Sequence, residues 1–116
     1  MLEVIGIKNC NTIKKTKTWL EENNVEFAFR DVKSNPLSPN ELADFVKKVG
    51  LDALVNKRGA TWRNLGLADK NLNANDLFEV LLEKQTMIKR PLLKRDEAVL
   101  VGFDEDALTT FLEDDV

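Results

Sequence analysis

The chain has 116 residues, 43% hydrophobic and 32% charged, with 17 basic side chains against 20 acidic ones for a net charge of −3. That is the size and balance of one globular domain with a single core, and the acidic excess argues against generic nucleic-acid binding, which needs a basic face. One cysteine excludes an internal disulfide, and the absence of histidine excludes Cys-His and Ser-His-Asp nucleophiles and any histidine metal site.

No apolar run approaches the roughly 20 residues of a membrane span. The start, Met1-Leu2-Glu3, lacks the basic region of a signal peptide. A cytoplasmic protein with no membrane partner is the expectation. No repeat, low-complexity tract or linker interrupts residues 1–116, which read as a single domain.

Residues 2–7, short and partly β-branched, predict a buried strand. Residues 11–23 predict a helix with Ile13, Thr16 and Leu20 on its inner side, stopped by Asn23-Asn24. Val25, Phe27 and Phe29 then alternate with Glu26, Ala28 and Arg30, the period of a strand. Strand–helix–strand is the crossover unit of a parallel pair. Ser38-Pro39-Asn40-Glu41 is a capping box with proline at the first helical position. Leu42, Phe45, Val46 and Val49 follow at helical spacing, and Gly50 ends that helix. Short helical turns are expected at 51–56 and from Thr61 to Leu67, and a longer helix from Asn73 to Lys84. Pro91–Lys94 and Ala98–Val101, joined by Arg95-Asp96-Glu97, read as a hairpin. Asp104 opens a last helix with Ala107, Leu108, Phe111 and Leu112 inside, and its acidic end, Glu113-Asp114-Asp115, opposes the helix dipole and is expected to fray. With the helical block about 35–88 set aside, the order is that of a thioredoxin-like α/β fold: a four-stranded mixed sheet flanked by helices.

The only thiol, Cys10, falls at the joint between the first strand and the first helix, within Gly6-Ile7-Lys8-Asn9-Cys10-Asn11-Thr12-Ile13. There the free N–H groups and the positive end of the helix dipole favour thiolate over thiol. Lys8 and Lys14 add positive field, and Asn11 and Thr12 are candidates to hydrogen-bond the sulfur or cap the helix. The competing reading, a small buried hydrophobe, fits poorly with these polar neighbours. A dithiol enzyme would carry its second cysteine at Ile13. With none in the chain, a covalent intermediate on Cys10 must be resolved by an outside thiol, with glutathione the obvious cytosolic one. Lys89-Arg90-Pro91 precedes the third strand. It is either an ordinary strand-edge proline or a cis bond, with Arg90 able to fork a carboxylate or oxyanion. Asn56-Lys57-Arg58-Gly59, with Thr61-Trp62-Arg63, is either a solvated basic loop or an anion site or partner surface.

Together "GIKNCNTIKK", "LVNKRGATWRNLGL" and "IKRPLL" resemble the arsenate reductase (ArsC)–Spx group, and most closely its YffB-type branch, over nearly the whole chain. The resemblance implies a thioredoxin-like fold with a helical insertion, a cis-proline facing the thiol, and Cys10 as nucleophile. It also implies three oxyanion-binding arginines. Arg90 matches one; the second falls at Asn56, with Arg58 two residues on as a substitute; the third falls near Gly102, with no basic residue beside it. These departures argue against arsenate turnover, because a trianion-like ligand needs several charge-assisted hydrogen bonds.

The reading that follows is a glutathione-dependent thiol reductase. Cys10 is its nucleophile, Lys8, Asn11 and Thr12 stabilise the thiolate, and Arg58, Arg90 and Pro91 bind glutathione. Glutathione is a co-substrate, glutaredoxin a partner in the arsenate reductase alternative, and no cofactor or metal is bound. A second alternative is a Spx-like regulator that binds RNA polymerase without turnover. The monomer is the expected state.

Overall fold

The computed structural model describes residues 1–113; the expected fraying of Asp114 and Asp115 lies outside them. Four strands form one sheet in the order β2-β1-β3-β4: β1 (Leu2–Gly6), β2 (Phe27–Asp31), β3 (Leu92–Arg95) and β4 (Ala98–Val101). β1 and β2 run parallel with Leu2 opposite Phe27 and Gly6 opposite Asp31, while β3 lies antiparallel to both β1 and β4. This is the mixed sheet of the thioredoxin-like plan, with helices on both faces.

Side chains alternate across a strand, so each central strand feeds two cores. On one face Leu2, Val4 and Leu93 pack with Ile13 and Leu20 of α1 (Asn11–Glu22) and with Leu108 of α6 (Glu105–Glu113). Val25, Phe27 and Phe29 flank this cluster, as their alternation predicts. On the other face Ile5 and Leu92 pack with Leu42 and Phe45 of α2 (Pro39–Val49), Leu54 of α3 (Leu51–Leu54), and Leu77 and Leu81 of α5 (Ala74–Glu83). Each side chain buried this way contributes roughly 1.5–3 kcal/mol, which makes β1 and β3 the anchor of everything attached to their ends.

Local signals place the ends of the elements. α1 closes with Asn24 at φ 57, and the bonds Asn24 N–H to Glu21 O and Val25 N–H to Leu20 O complete a Schellman turn. β2 therefore begins at Phe27 rather than Val25. The capping box at Ser38 and Glu41 is formed in both directions, and Gly50 leaves α2 at φ 88. The short turn expected at 51–56 stops at Leu54, because Val55 forms an isolated bridge with Ile88. The turn expected from Thr61 to Leu67 is split. α4 covers Ala60–Asn64, Gly66 is left-handed at φ 62, and a 3-10 turn follows at Leu67–Asp69.

Two polar devices fix the connection from β2 to α2. The buried Gln85 amide accepts from Leu37 N–H and donates to Leu37 O, both at 2.8 Å, tying this loop to the far end of the helical block. Arg30 donates to both Glu41 oxygens and to the carbonyls of Asn35 and Pro36. The Arg30 guanidinium, then the Ser38 N–H, hold the Glu41 carboxyl down at about 2. A depressed carboxylate contributes stability that is fully present above its unfolded value and is lost as pH falls through about 2. The Glu41 side chain is 43% exposed, so solvent screening limits the contribution to about 1 kcal/mol or less. We expect Glu41→Gln to shrink the loss of unfolding free energy between pH 6 and pH 2.5 in urea titrations. An unchanged loss would show that Glu41 carries none of the acid sensitivity.

Candidate functional site at the strand–helix joint

β1 delivers the chain to this site. Cys10 is the N-cap residue of α1, in an extended conformation at φ −140 and ψ 125, and its side chain makes no capping hydrogen bond. Its carbonyl accepts from Lys14 N–H at 3.0 Å, the first bond of the helix. The first turn contains no acidic side chain, so nothing on α1 neutralises the positive end of its dipole. The thiol is half-buried, one side against the Leu2–Val4–Ile13 cluster. It combines partial apolar packing with an open helix start.

The sequence named Lys8, Asn11 and Thr12 as stabilisers of this sulfur. Lys8 and Asn11 are exposed and Thr12 is half-buried. Among the described residues neither the Asn11 nor the Thr12 side chain hydrogen-bonds the sulfur; the Thr12 carbonyl instead accepts from the Thr16 hydroxyl at 2.7 Å. The contact recorded for Cys10 is with the apolar cluster on its buried side. The position three after Cys10 is Ile13, which is 0% exposed and packs across Gly6.

The Arg90–Pro91 peptide is cis. Pro91 is buried, and its carbonyl accepts from Gly102 N–H at 2.8 Å, so Gly102 is spent on holding this loop. The Arg90 stem passes over the end of β1: a Cβ on Gly6 would lie 3.7 Å from Arg90 Cγ. Arg90 reaches the Thr86 carbonyl at 3.4 Å. Asn56 is brought to the same place by backbone pairing, through Asn56 N–H to Met87 O at 2.8 Å and Lys89 N–H to Leu54 O at 2.7 Å around the Val55–Ile88 bridge. The hydroxyls of Thr61 and Thr86 join at 3.2 Å.

These contacts enclose a cleft of about 320 Å³ lined by Ile7, Lys33, Asn56, Gly59, Ala60, Thr61, Trp62, Thr86, Met87 and Arg90. Arg58 is not among them. Arg58 is exposed, and its backbone N–H donates to Asn56 Oδ1 at 3.1 Å, while Asn56 itself lines the cleft. The second cation of the cleft is Lys33, which the sequence reading missed. A signal for it existed: β1 and β2 are parallel, so their carboxyl ends share one edge of the sheet, where α/β folds place ligands. Val32 N–H donates to Gly6 O at 2.9 Å, and Lys33 follows directly. Among the described residues no group of three His, Cys, Asp or Glu is arranged to hold a metal ion.

The chain thus carries a half-exposed thiol at an uncapped helix start, a cis-proline just before β3, and a cationic cleft whose lining includes Ile7, three residues before that thiol. A model of the ArsC family matches residues 5–111. The chain belongs to the ArsC family. A solved structure of a protein titled YFFB superposes on this ArsC-family chain with a TM-score of 0.89 at 34% identity, covering 97% of this chain and 99% of the other. An uncharacterized protein of Haemophilus influenzae is 43% identical over 106 residues, 90% of this chain and 93% of its own length. Global transcriptional regulator Spx 2 of Bacillus anthracis is 24% identical over 114 residues, 97% of this chain and 87% of the regulator. No helix among the described residues is long and apolar enough to cross a membrane.

Proposed function

We propose that this ArsC-family protein is a cytoplasmic monothiol reductase that uses glutathione, with Cys10 as its nucleophile. One observation carries the reading: the chain's single thiol stands at the start of α1, half-exposed, while the position of a second thiol is filled by the fully buried Ile13. In the first step the Cys10 thiolate attacks a sulfur of a glutathionylated disulfide. A Cys10–glutathione bond forms, the substrate S–S bond breaks, and the substrate sulfur leaves as a thiolate. In the second step a free glutathione thiolate attacks the glutathione sulfur of that adduct. Cys10 leaves as thiolate and glutathione disulfide is released, so the two electrons come from glutathione. Pro91 and Arg90, whose peptide is cis, are the groups we assign to the glutathione backbone and a carboxylate.

Two other readings belong to the same family. Arsenate reduction calls for several cations around a tetrahedral oxyanion, and Asn56 standing in the cleft beside Arg90 weakens that reading. The Spx relative, a global transcriptional regulator, supports a regulatory reading, although a switch made of two thiols three residues apart has no second thiol here. Intact mass spectrometry after exposure to glutathione disulfide tests the main proposal. We expect one added glutathione, removed by excess glutathione, together with turnover of a glutathionylated peptide. No adduct and no turnover, with RNA polymerase subunits recovered on the immobilised protein, would replace the reductase by the regulator.

A further inference from the structure

The cleft beside Arg90 holds two cations and no acid. Lys33 and Arg90 both line it, no aspartate or glutamate does, and among the described residues neither cation forms an ion pair. The Asn56 amide and one hydroxyl of the hydrogen-bonded Thr61–Thr86 pair offer further donors, and Trp62 also lines the cleft. Cations gathered in a concave site without carboxylates attract an anion from outside. The position of the cleft limits what that anion is attached to. Ile7 lines it and lies three residues before Cys10, so their backbones are separated by no more than about 11 Å, about the length of an extended tripeptide.

We propose that this cleft seats the terminal carboxylate of a short thiol peptide whose sulfur meets Cys10, and that Lys33 determines the preference for an anionic end. The proposal rests on the reading of Cys10 as nucleophile and adds to it a subsite and a specificity residue. Lys33 is held at the rim: its N–H donates to Asp31 Oδ1 at 2.9 Å, and it also borders an adjoining hollow lined by Pro36, Leu82, Lys84 and Glu83, although among the described residues it forms no ion pair with Glu83. Truncating its charge changes which ligands are accepted without touching the thiol.

The test uses S-methylglutathione, which binds without reacting, its dimethyl ester, and inorganic phosphate as a competing oxyanion, each titrated calorimetrically into the wild-type protein and Lys33→Gln. We expect Lys33→Gln to bind S-methylglutathione roughly tenfold more weakly, the size of one charge-assisted contact. The ester is expected to lose a similar factor on the wild type and nothing further on the variant. Unaltered far-UV dichroism shows that the exposed substitution leaves the fold in place. Equal affinities for the two proteins, or no measurable binding, overturn the subsite. Phosphate displacing the peptide at lower concentration than the peptide itself requires also overturns it, in favour of a seat for inorganic oxyanions. The Cys10–glutathione adduct, read separately by mass, decides whether the reductase reading survives that failure.

Discussion

We expect Cys10→Ser to abolish the proposed glutathione adduct and turnover altogether while leaving the protein no less stable. The loss is complete because no other residue in the chain can form a disulfide. Stability behaves differently because Cys10 is an N-cap whose side chain makes no capping bond. Serine is among the preferred N-caps and its oxygen can accept from an N–H of the first turn, a contribution of about 1 kcal/mol relative to alanine. Cys10→Ala lacks that bond, so the serine variant should melt several degrees above the alanine variant, although both are equally inactive. The open helix start is thus a cost to folding that the thiol leaves in place. Parallel melting curves and intact masses for the two variants check both halves. A glutathione adduct on Cys10→Ser would sink the assignment of the nucleophile.

Gly6→Ala should destabilise the protein by about 1–3 kcal/mol and slow reaction at Cys10 without touching the sulfur. Gly6 ends β1, is buried, and has no room for a side chain. A Cβ there would overlap Ile13 Cδ1 and lie 2.9 Å from Ile13 Cγ1. Ile13 cannot yield easily, because it is enclosed by Leu2, Val4, Leu20, Leu93 and Leu108. The new methyl group therefore pushes on the first turn of α1, the element that positions Cys10. Ile13→Val removes Cδ1, so the double variant Gly6→Ala/Ile13→Val should recover part of the lost stability, giving a coupling energy of about 0.5–1.5 kcal/mol in urea unfolding. Strictly additive effects would mean that the two residues do not meet. This close approach also explains why position 13 serves the core: the same side chain that fills the slot over Gly6 stands where a second thiol would otherwise be.

Much of this architecture is legible before any coordinates. The inward stripe Ile13, Thr16 and Leu20, the alternation of Val25, Phe27 and Phe29, and the capping box at Ser38 each encode a local element through spacing that a helix or strand turns to one side. The stripe and the capping box occur as read, and the alternation faces the core as read although the strand itself begins only at Phe27. The misreadings arise where a non-local partner overrules local pattern. Val55 leaves its turn to pair with Ile88, more than thirty residues on, and that pairing aims Asn56 into the cleft and leaves Arg58 outside. Lys33, unremarkable in a polar loop, gains its place only because β2 lies parallel to β1. Asn11 and Thr12 are polar neighbours of Cys10 in sequence, yet the turn of the helix carries their side chains away from any bond with the sulfur.

The residues alone determine that any thiol chemistry falls to Cys10, that histidine takes no part, and that a disulfide formed there needs a partner from another molecule, since these follow from counting. Spacing adds that Cys10 precedes a helix. What the tertiary structure decided is what gathers at the end of β1: the cis Arg90–Pro91 loop, with the Arg90 stem over Gly6, and a cleft with Lys33 as its second cation in place of Arg58. Those residues come from β1, the ends of β2 and α3, α4, and the approach to β3. Such distant segments meet only when the sheet closes, because burial of both faces of β1 and β3 fixes the register that brings their ends together.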